Sequence, residues 1–190
     1  MKFRLADGRD AHRLYRLMER DFPENERQPY HPIRHQLKRG RQAAFVLEEG
    51  RAILAYALCA PNAAGGEVLL SYLATAPQCR GRGLGQALLR RVMTGYQTAG
   101  RTAMLAEVER PEDCDPEELR LRLRRIRFYE RLGFVRRPDT PAVLYDVPML
   151  LMEARLEDGP PTDLVRAMRD IYLPLVGKPA IHRICVGIAD

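Results

Sequence analysis

The stretch Arg80-Gly81-Arg82-Gly83-Leu84-Gly85 interleaves three glycines with two arginines just ahead of the amphipathic run Gln86-Ala87-Leu88-Leu89, a pattern suited to holding an anion. Glycines let backbone N–H groups approach a phosphate closely and adopt positive φ. A helix beginning there adds N–H donors without intrahelical partners and a partial positive charge. Arg80 and Arg82 add charge-assisted hydrogen bonds. Two other phosphate loops are excluded. A Walker A loop needs Gly-Lys-Ser/Thr at the helix start, which is missing. A Rossmann fingerprint needs Gly-x-Gly-x-x-Gly after the first strand of a βαβ unit, whereas the strand before this loop belongs to a meander. The plain alternative is a glycine turn with no ligand, and the interleaved arginines argue against it.

A second signal is a carboxylate in an apolar setting. Glu107 sits within the run Ala103–Val108, where an unpaired buried charge would be costly. Glu109 alternates onto the same face of that strand. It is placed either to bind a cationic ligand or to pair with an arginine of the following helix. Glu67 opens an earlier strand and, coming after Gly65-Gly66, reads first as a solvated strand end. His12, His31, His35 and His182 show no metal-ligand spacing, so no metal is expected.

Around these residues the chain alternates helical and strand periodicity, which predicts a mixed α/β, α+β-like fold. Ala11, Leu14, Tyr15, Met18 and Phe22 recur at helical spacing, with Asp7 as N-cap and Pro23 as stop. A short helix is expected from Pro32 to Arg39. Strands follow at Ala43–Leu47, Ala52–Ala60 and Glu67–Thr75, joined by short connections as an antiparallel meander. Next come a helix at Gly83–Gln97, a strand at Ala103–Glu109, a helix at Pro116–Leu132 and late strands at Phe134–Arg136, Val143–Val147 and Met149–Leu156. The break Asp158-Gly159-Pro160-Pro161 separates residues 1–156 from an extension, 157–190, expected to pack on the same domain. In the extension Thr162 is expected to cap a helix reaching Leu173, and Ile181–Ile188 to form a last strand.

The 190 residues suffice for one buried core. No apolar run nears the roughly 18–20 residues that span a bilayer, and the charged start Met1-Lys2-Phe3-Arg4 leaves no room for a signal peptide. Cys59, Cys79, Cys114 and Cys185 form no Cys-x-x-Cys pair, which points to a reducing, cytoplasmic setting. The net charge is +6, almost all from arginine, but the arginines are spread along the chain among 25 acidic residues. That distribution argues against a nucleic-acid surface, which would cluster its basic groups.

The glycine loop, the strand after its helix and the segment Arg127-Phe128-Tyr129-Glu130-Arg131-Leu132-Gly133-Phe134 together resemble the GNAT superfamily of N-acetyltransferases. Arg80-x-x-Gly83-x-Gly85 fits that family's Gln/Arg-x-x-Gly-x-Gly/Ala motif for the CoA pyrophosphate. Leu105-Ala106-Glu107-Val108-Glu109 resembles its Leu-Glu-Val strand. The resemblance runs from about Phe3 to Leu156. It implies a central, mostly antiparallel twisted sheet flanked by helices and acetyl-CoA as acyl donor, with Arg80, Gly81, Arg82, Gly83, Leu84, Gly85 and Gln86 around the pyrophosphate. Backbone groups of Leu73, Ala74 and Thr75 would hold the pantetheine arm. Arg122 stands seven residues before Tyr129, where many members carry Asn, and the acidic insertion Pro111–Glu118 is a second departure.

Amine acylation by a thioester sets the roles. The acceptor must lose a proton, because an alkylammonium has a pKa of about 10. Tyr129 suits protonation of the departing thiolate, because an ordinary phenol has a pKa of about 10, near that of a thiol leaving group; its plain alternative is a core aromatic. Glu107 is the expected base and Glu67 its rival. The loop Phe22–Arg27 links the first two helices, which in the family border the acceptor pocket. That makes Glu26 a candidate for acceptor recognition, with Tyr30 and Tyr145 behind it, and Glu109 a further one from its place on the face of Glu107. The loop reads equally well as an exposed polar connection. The arginines of the helix before Tyr129 read mostly as solvated. The expected function is N-acetylation of a small cationic primary amine, or of a protein amine, in a ternary complex by a monomer or homodimer. The alternatives are a non-catalytic acyl-CoA sensor and a nucleic-acid-binding protein.

Overall fold

Ala11, Leu14 and Met18 are buried along one side of the helix α1 (Ala11–Asp21), and their spacing is what makes the helix amphipathic. Its N-cap is Asp10 rather than Asp7, and Asp10 makes no side-chain cap. The Asp10 carboxylate instead accepts from both terminal nitrogens of Arg4, at 2.6 and 3.0 Å, while the Asp7 carboxylate takes the Arg9 amide and guanidinium. The expected cap is thus displaced by two ion pairs.

The computed structural model describes residues 1–112 and 114–187. Asp113, inside the expected acidic insertion, and Ile188, Ala189 and Asp190, at the end of the extension, lie outside the described residues. Among the described residues no helix is long and apolar enough to cross a membrane.

The chain forms two compact units. The first comprises Met1–Pro61 and Leu70–Val92, the second Asn62–Leu69 and Met93–Asp190. In the first, β1 (Lys2–Leu5), β2 (Ala43–Glu49) and β3 (Ala52–Pro61) pair antiparallel, and the later part of β4 (Glu67–Thr75) continues the order. β1 is only four residues long, at the bottom of the length over which alternation announces a strand, and is not among the expected strands. Leu14 and Met18 of α1 and Ile33 of α2 (Tyr30–Lys38) pack with Val46, Tyr56, Leu58 and Tyr72 as this unit's core. The helix α3 (Leu84–Thr98) begins here, directly after the glycine loop.

In the second unit β5 (Ala103–Glu109) pairs antiparallel with β8 (Val147–Arg155), which also takes β6 (Val135–Arg136) and β7 (Ala142–Leu144). β9 (Ile184–Val186) pairs with β7, so only part of Ile181–Ile188 is strand, and residues 181–183 make a 3-10 turn. The helix α4 (Pro116–Glu130) is capped by Asp115, whose carboxylate accepts from the amides of Glu117 and Glu118. The helix α5 (Leu164–Val176) is capped by Asp163 and not by Thr162, and buries Leu164, Ala167, Met168, Ile171, Tyr172 and Leu175. Thr162 is drawn away to the carboxylate of Glu153. The mixed α/β class with mostly antiparallel pairing is as the sequence predicts.

Candidate functional site

In the first unit the loop meets the requirements of an anion cradle. Gly81 and Gly83 have φ of +76° and +74°, and a Cβ built on either would meet no atom within 4 Å. Both glycines therefore face open space in a conformation that L side chains seldom adopt. Leu84, Gly85 and Gln86 form the first turn of α3, whose N–H groups have no intrahelical acceptor. Arg80 is exposed and leans on the first unit through its Nε, 3.4 Å from the Thr75 carbonyl, and its terminal nitrogen, 3.9 Å from the Asp21 carboxylate. Asp21 is itself buried beside Arg20 and the Tyr56 hydroxyl. Arg82 is exposed, with one nitrogen 3.9 Å from the Cys79 sulfur. Leu73, Ala74 and Thr75 end β4 half-buried. A pyrophosphate fits this donor set: charge, amide donors and clearance coincide.

The loop expected to border the acceptor is ordered by Tyr72. The Tyr72 hydroxyl donates to the Glu26 carbonyl at 3.3 Å and accepts from the Gln28 amide at 3.0 Å. The Glu26 residue is exposed at the end of a 3-10 turn, Glu24–Glu26. Tyr30 opens α2, with its ring centroid 5.2 Å from that of Tyr15 and 5.9 Å from that of His12.

The remaining candidates lie in the second unit. Glu107 is half-buried on β5, opposite Leu151 of β8. Its two carboxylate oxygens sit 2.9 and 2.8 Å from the Tyr172 hydroxyl of α5. Burial pushes its pKa up to about 7, with the Tyr172 hydrogen bond working in the opposite direction. Two residues along the same face, Glu109 accepts from Arg125 at 3.0 Å and lies 3.6 Å from Arg122. Of the two readings of Glu109, pairing with the following helix is the one the structure displays. Arg122 also donates to Glu118 at 2.6 Å and to the Arg110 carbonyl, with its side chain only 15% exposed. It is therefore not a solvated arginine, unlike Arg120, Arg124 and Arg127, which are exposed.

Glu67 overturns its expectation as a solvated strand end. It is 5% exposed, accepts from the Asn62 side-chain amide at 2.8 Å and lies 3.7 Å from Arg166. Glu67 has a buried polar task of its own, on the rim of the Gly65-Gly66 turn. Tyr129 is half-buried on α4, and its ring makes edge contacts with Phe128 and Phe134 at 5.2 and 5.3 Å. Tyr145 is not in a strand. With Asp146 it forms the β7–β8 turn, where φ is 50° and 69°, as tight hairpins of this twist require. Arg183 lies over its ring at 4.8 Å and pairs with Asp146 at 3.0 Å, so a cation already covers one ring face. Burial raises the Tyr145 pKa, Arg183 opposes this, and the charge of Glu107 adds to it.

The structure thus brings Tyr172 and Tyr145 into range of Glu107, and gives Glu67 and Glu109 to other partners. Tyr172 was not a sequence candidate. The available signal was a tyrosine on the apolar face of the tail helix, a place where a polar tip needs a buried partner.

A family model for the acetyltransferase (GNAT) domain matches residues 40–136, just over half of the chain. No curated protein matches. Among solved structures, a GNAT-family protein from Bacteroides thetaiotaomicron superposes with a TM-score of 0.68 at 20% identity, covering 93% of this chain and 97% of its own. The ribosomal-protein-S18-alanine N-acetyltransferase from Escherichia coli gives 0.63 at 18%, covering 84% and 97%. The yncA protein from Salmonella typhimurium, solved with its cofactor acetyl-CoA, gives 0.62 at 18%, covering 86% and 98%. At these identities the likeness is one of fold.

Proposed function

We propose that this chain, which belongs to the GNAT acetyltransferase family and takes its acyl group from acetyl-CoA, delivers that group to a small cationic primary amine. Acetyl-CoA supplies the activated carbonyl. The chain's own residues do the rest. The amides of Gly81 to Gln86, with Arg80 and Arg82, bind the pyrophosphate. Backbone groups of Leu73, Ala74 and Thr75 orient the pantetheine arm. Glu107 takes the proton of the acceptor ammonium, directly or through a water, so that the amine attacks as a neutral nucleophile. As the C–N bond forms and the C–S bond breaks, Tyr129 gives its phenolic proton to the departing sulfur, the nitrogen releases its second proton to solvent, and the phenolate regains a proton from solvent. Glu26 attracts the cationic acceptor, with Tyr30 beside it, while Glu67 and Glu109 act on the structure around them. The extension 157–190 belongs to the same domain, supported by the contact of Tyr172 with β5. A cytoplasmic setting suits four free thiols.

The observation that carries this reading is the placing of Glu107: a carboxylate within the apolar strand β5, held by the Tyr172 hydroxyl at 2.9 and 2.8 Å, where burial pushes its pKa up to about 7, towards the range that suits a general base at neutral pH. The experiment is CoA release from acetyl-CoA with spermidine, lysine, an aminoglycoside and an alanine-initiated peptide as acceptors. Highest kcat/KM with a small polycation supports the proposal. Highest kcat/KM with the peptide assigns a protein amine instead, and release with none of them favours the binding-only alternative.

A further inference from the structure

Tyr172 lies 65 residues from Glu107 in sequence and outside the span 40–136 that matches the family, yet its hydroxyl contacts both oxygens of that carboxylate. The phenol is brought there by burial. Met168, Ile171 and Leu175 share the packed face of α5, and Tyr172 itself is 8% exposed. The helix is fixed at both ends, by the Asp163 carboxylate accepting from the Arg166 amide and by Gly177, whose amide donates to the Leu173 carbonyl. A single phenolic hydrogen shared between two oxygens at 2.9 and 2.8 Å pins the carboxylate in one rotamer.

We propose that Tyr172 is a positioning residue for the reaction: donating to Glu107 from the tail helix, it fixes the direction of the carboxylate and favours its ionised form, so that the C-terminal extension completes the acid–base apparatus. This rests on the assignment of Glu107 as the base. Other groups near Glu107 are accounted for. Tyr145, from the β7–β8 turn, feels the charge of Glu107 and is covered by Arg183. Glu109, on the same strand face, is neutralised by Arg122 and Arg125. Leu151, opposite on β8, is apolar. Tyr172 is thus the group that favours the carboxylate against its burial, since a hydrogen bond to the charged form lowers a carboxyl pKa.

The test is Tyr172→Phe, which keeps the ring and its packing. The Glu107 carboxyl is titrated by carbon-13 NMR, assigned with Glu107→Gln, and the pH dependence of kcat/KM is recorded with the best amine of the panel above. The expected result is a Glu107 midpoint raised by about one pH unit, the effect of losing one hydrogen bond to a charged acceptor. The acidic limb of kcat/KM should move up with it. A purely structural tyrosine would change the melting temperature and leave both midpoints in place, which overturns the inference. A carboxyl midpoint that rises while the kinetic limb stays put overturns the assignment of Glu107 as base, and with it the place of Tyr172 in the reaction. An unmoved midpoint with a limb that Glu107→Gln abolishes overturns the role of Tyr172 alone.

Discussion

Thr162 donates through both its amide, at 3.1 Å, and its hydroxyl to the carboxylate of Glu153, which lies 2% exposed on β8. Arg137 pairs with the same carboxylate, and Arg155 lies 3.4 Å from it. Arg137 also holds Asp139 at 3.1 Å. The segment after β8 is thereby tied to the strand it leaves, by a buried charge whose neighbours satisfy it.

Removing that carboxylate should be costly in a specific way. Glu153→Ala leaves two arginines and a threonine facing a hole, and breaking a buried pair from one side costs about 3–5 kcal/mol. Thr162→Val keeps shape and loses one hydroxyl, for about 1–2 kcal/mol. Urea denaturation measures both. Equal, small losses in the two variants would mean that the cluster is solvated and holds nothing.

The two buried-side carboxylates of the second unit should respond to pH with opposite sign. Burial alone would raise the Glu153 pKa, but the hydrogen bonds from Thr162 and Arg137 outweigh it and hold it below the usual 4.5. Its contribution to stability is present above the unfolded pKa and lost as pH falls through the lowered folded one. Glu107 is raised from 4.5 to about 7, so the native state holds its proton where the unfolded state has released it. Stability therefore falls as pH rises between those two values. Glu107→Gln should flatten the slope across that window, and Glu153→Gln should leave it and reduce the acid-side loss. A slope unchanged in Glu107→Gln would show that its carboxyl titrates normally.

What the sequence made legible was local. Gly81 and Gly83 announced a positive-φ turn because glycine adopts that conformation without steric cost, and α3 followed from apolar spacing. Glu107 stood out because its four predecessors in the strand, Ala103 to Ala106, are all apolar. Glu67 was misread because the chain beside it, Gly65-Gly66, looks like a solvated turn. Its partners are Asn62, whose side-chain amide donates to it, and Arg166, about 100 residues on, at 3.7 Å. Tyr172 and Glu153 were missed for the same reason: a buried polar pair is made by two distant segments, and neither segment's periodicity records its partner. Asp7 is the cap expected from the sequence, but the cap position falls three residues later at Asp10, whose carboxylate is taken by Arg4 and caps nothing.

Tyr129→Phe tests the proton donor. The ring contacts with Phe128 and Phe134 survive the change, so packing is preserved. Loss of general acid catalysis should lower kcat by about 10²-fold or more, with little change in acetyl-CoA affinity. Turnover within twofold of wild type would return Tyr129 to the role of a packed aromatic.

Glu107→Gln and Glu67→Gln form a matched pair. Each keeps its shape, loses its charge and exchanges one acceptor oxygen for an NH2 donor. Glu107→Gln should lower kcat/KM on the order of 10²-fold and remove its acidic limb near pH 7. Glu67→Gln loses the pairing with Arg166 but can still accept from Asn62, so it should cost stability and leave the profile in place. A crippled Glu67→Gln beside a normal Glu107→Gln would reverse the assignment.

The cofactor loop is tested without any acceptor. Acetyl-CoA binds the native state and should raise the melting temperature by mass action. In Gly83→Val the branched side chain enters the space that the loop leaves open, at a φ of +74° that valine disfavours. The free protein should melt lower, by an amount reflecting about 1–2 kcal/mol of backbone strain, and the shift on adding acetyl-CoA should vanish. The two effects separate cleanly, because strain acts with and without ligand whereas the lost cradle acts only on the difference. Gly95→Ala is the control: it sits within α3, away from the loop, and a Cβ there meets nothing within 4 Å. It should keep the full shift. A Gly83→Val protein that retains the wild-type shift would mean that the pyrophosphate is held elsewhere, and the arginines flanking that glycine would then belong to the surface.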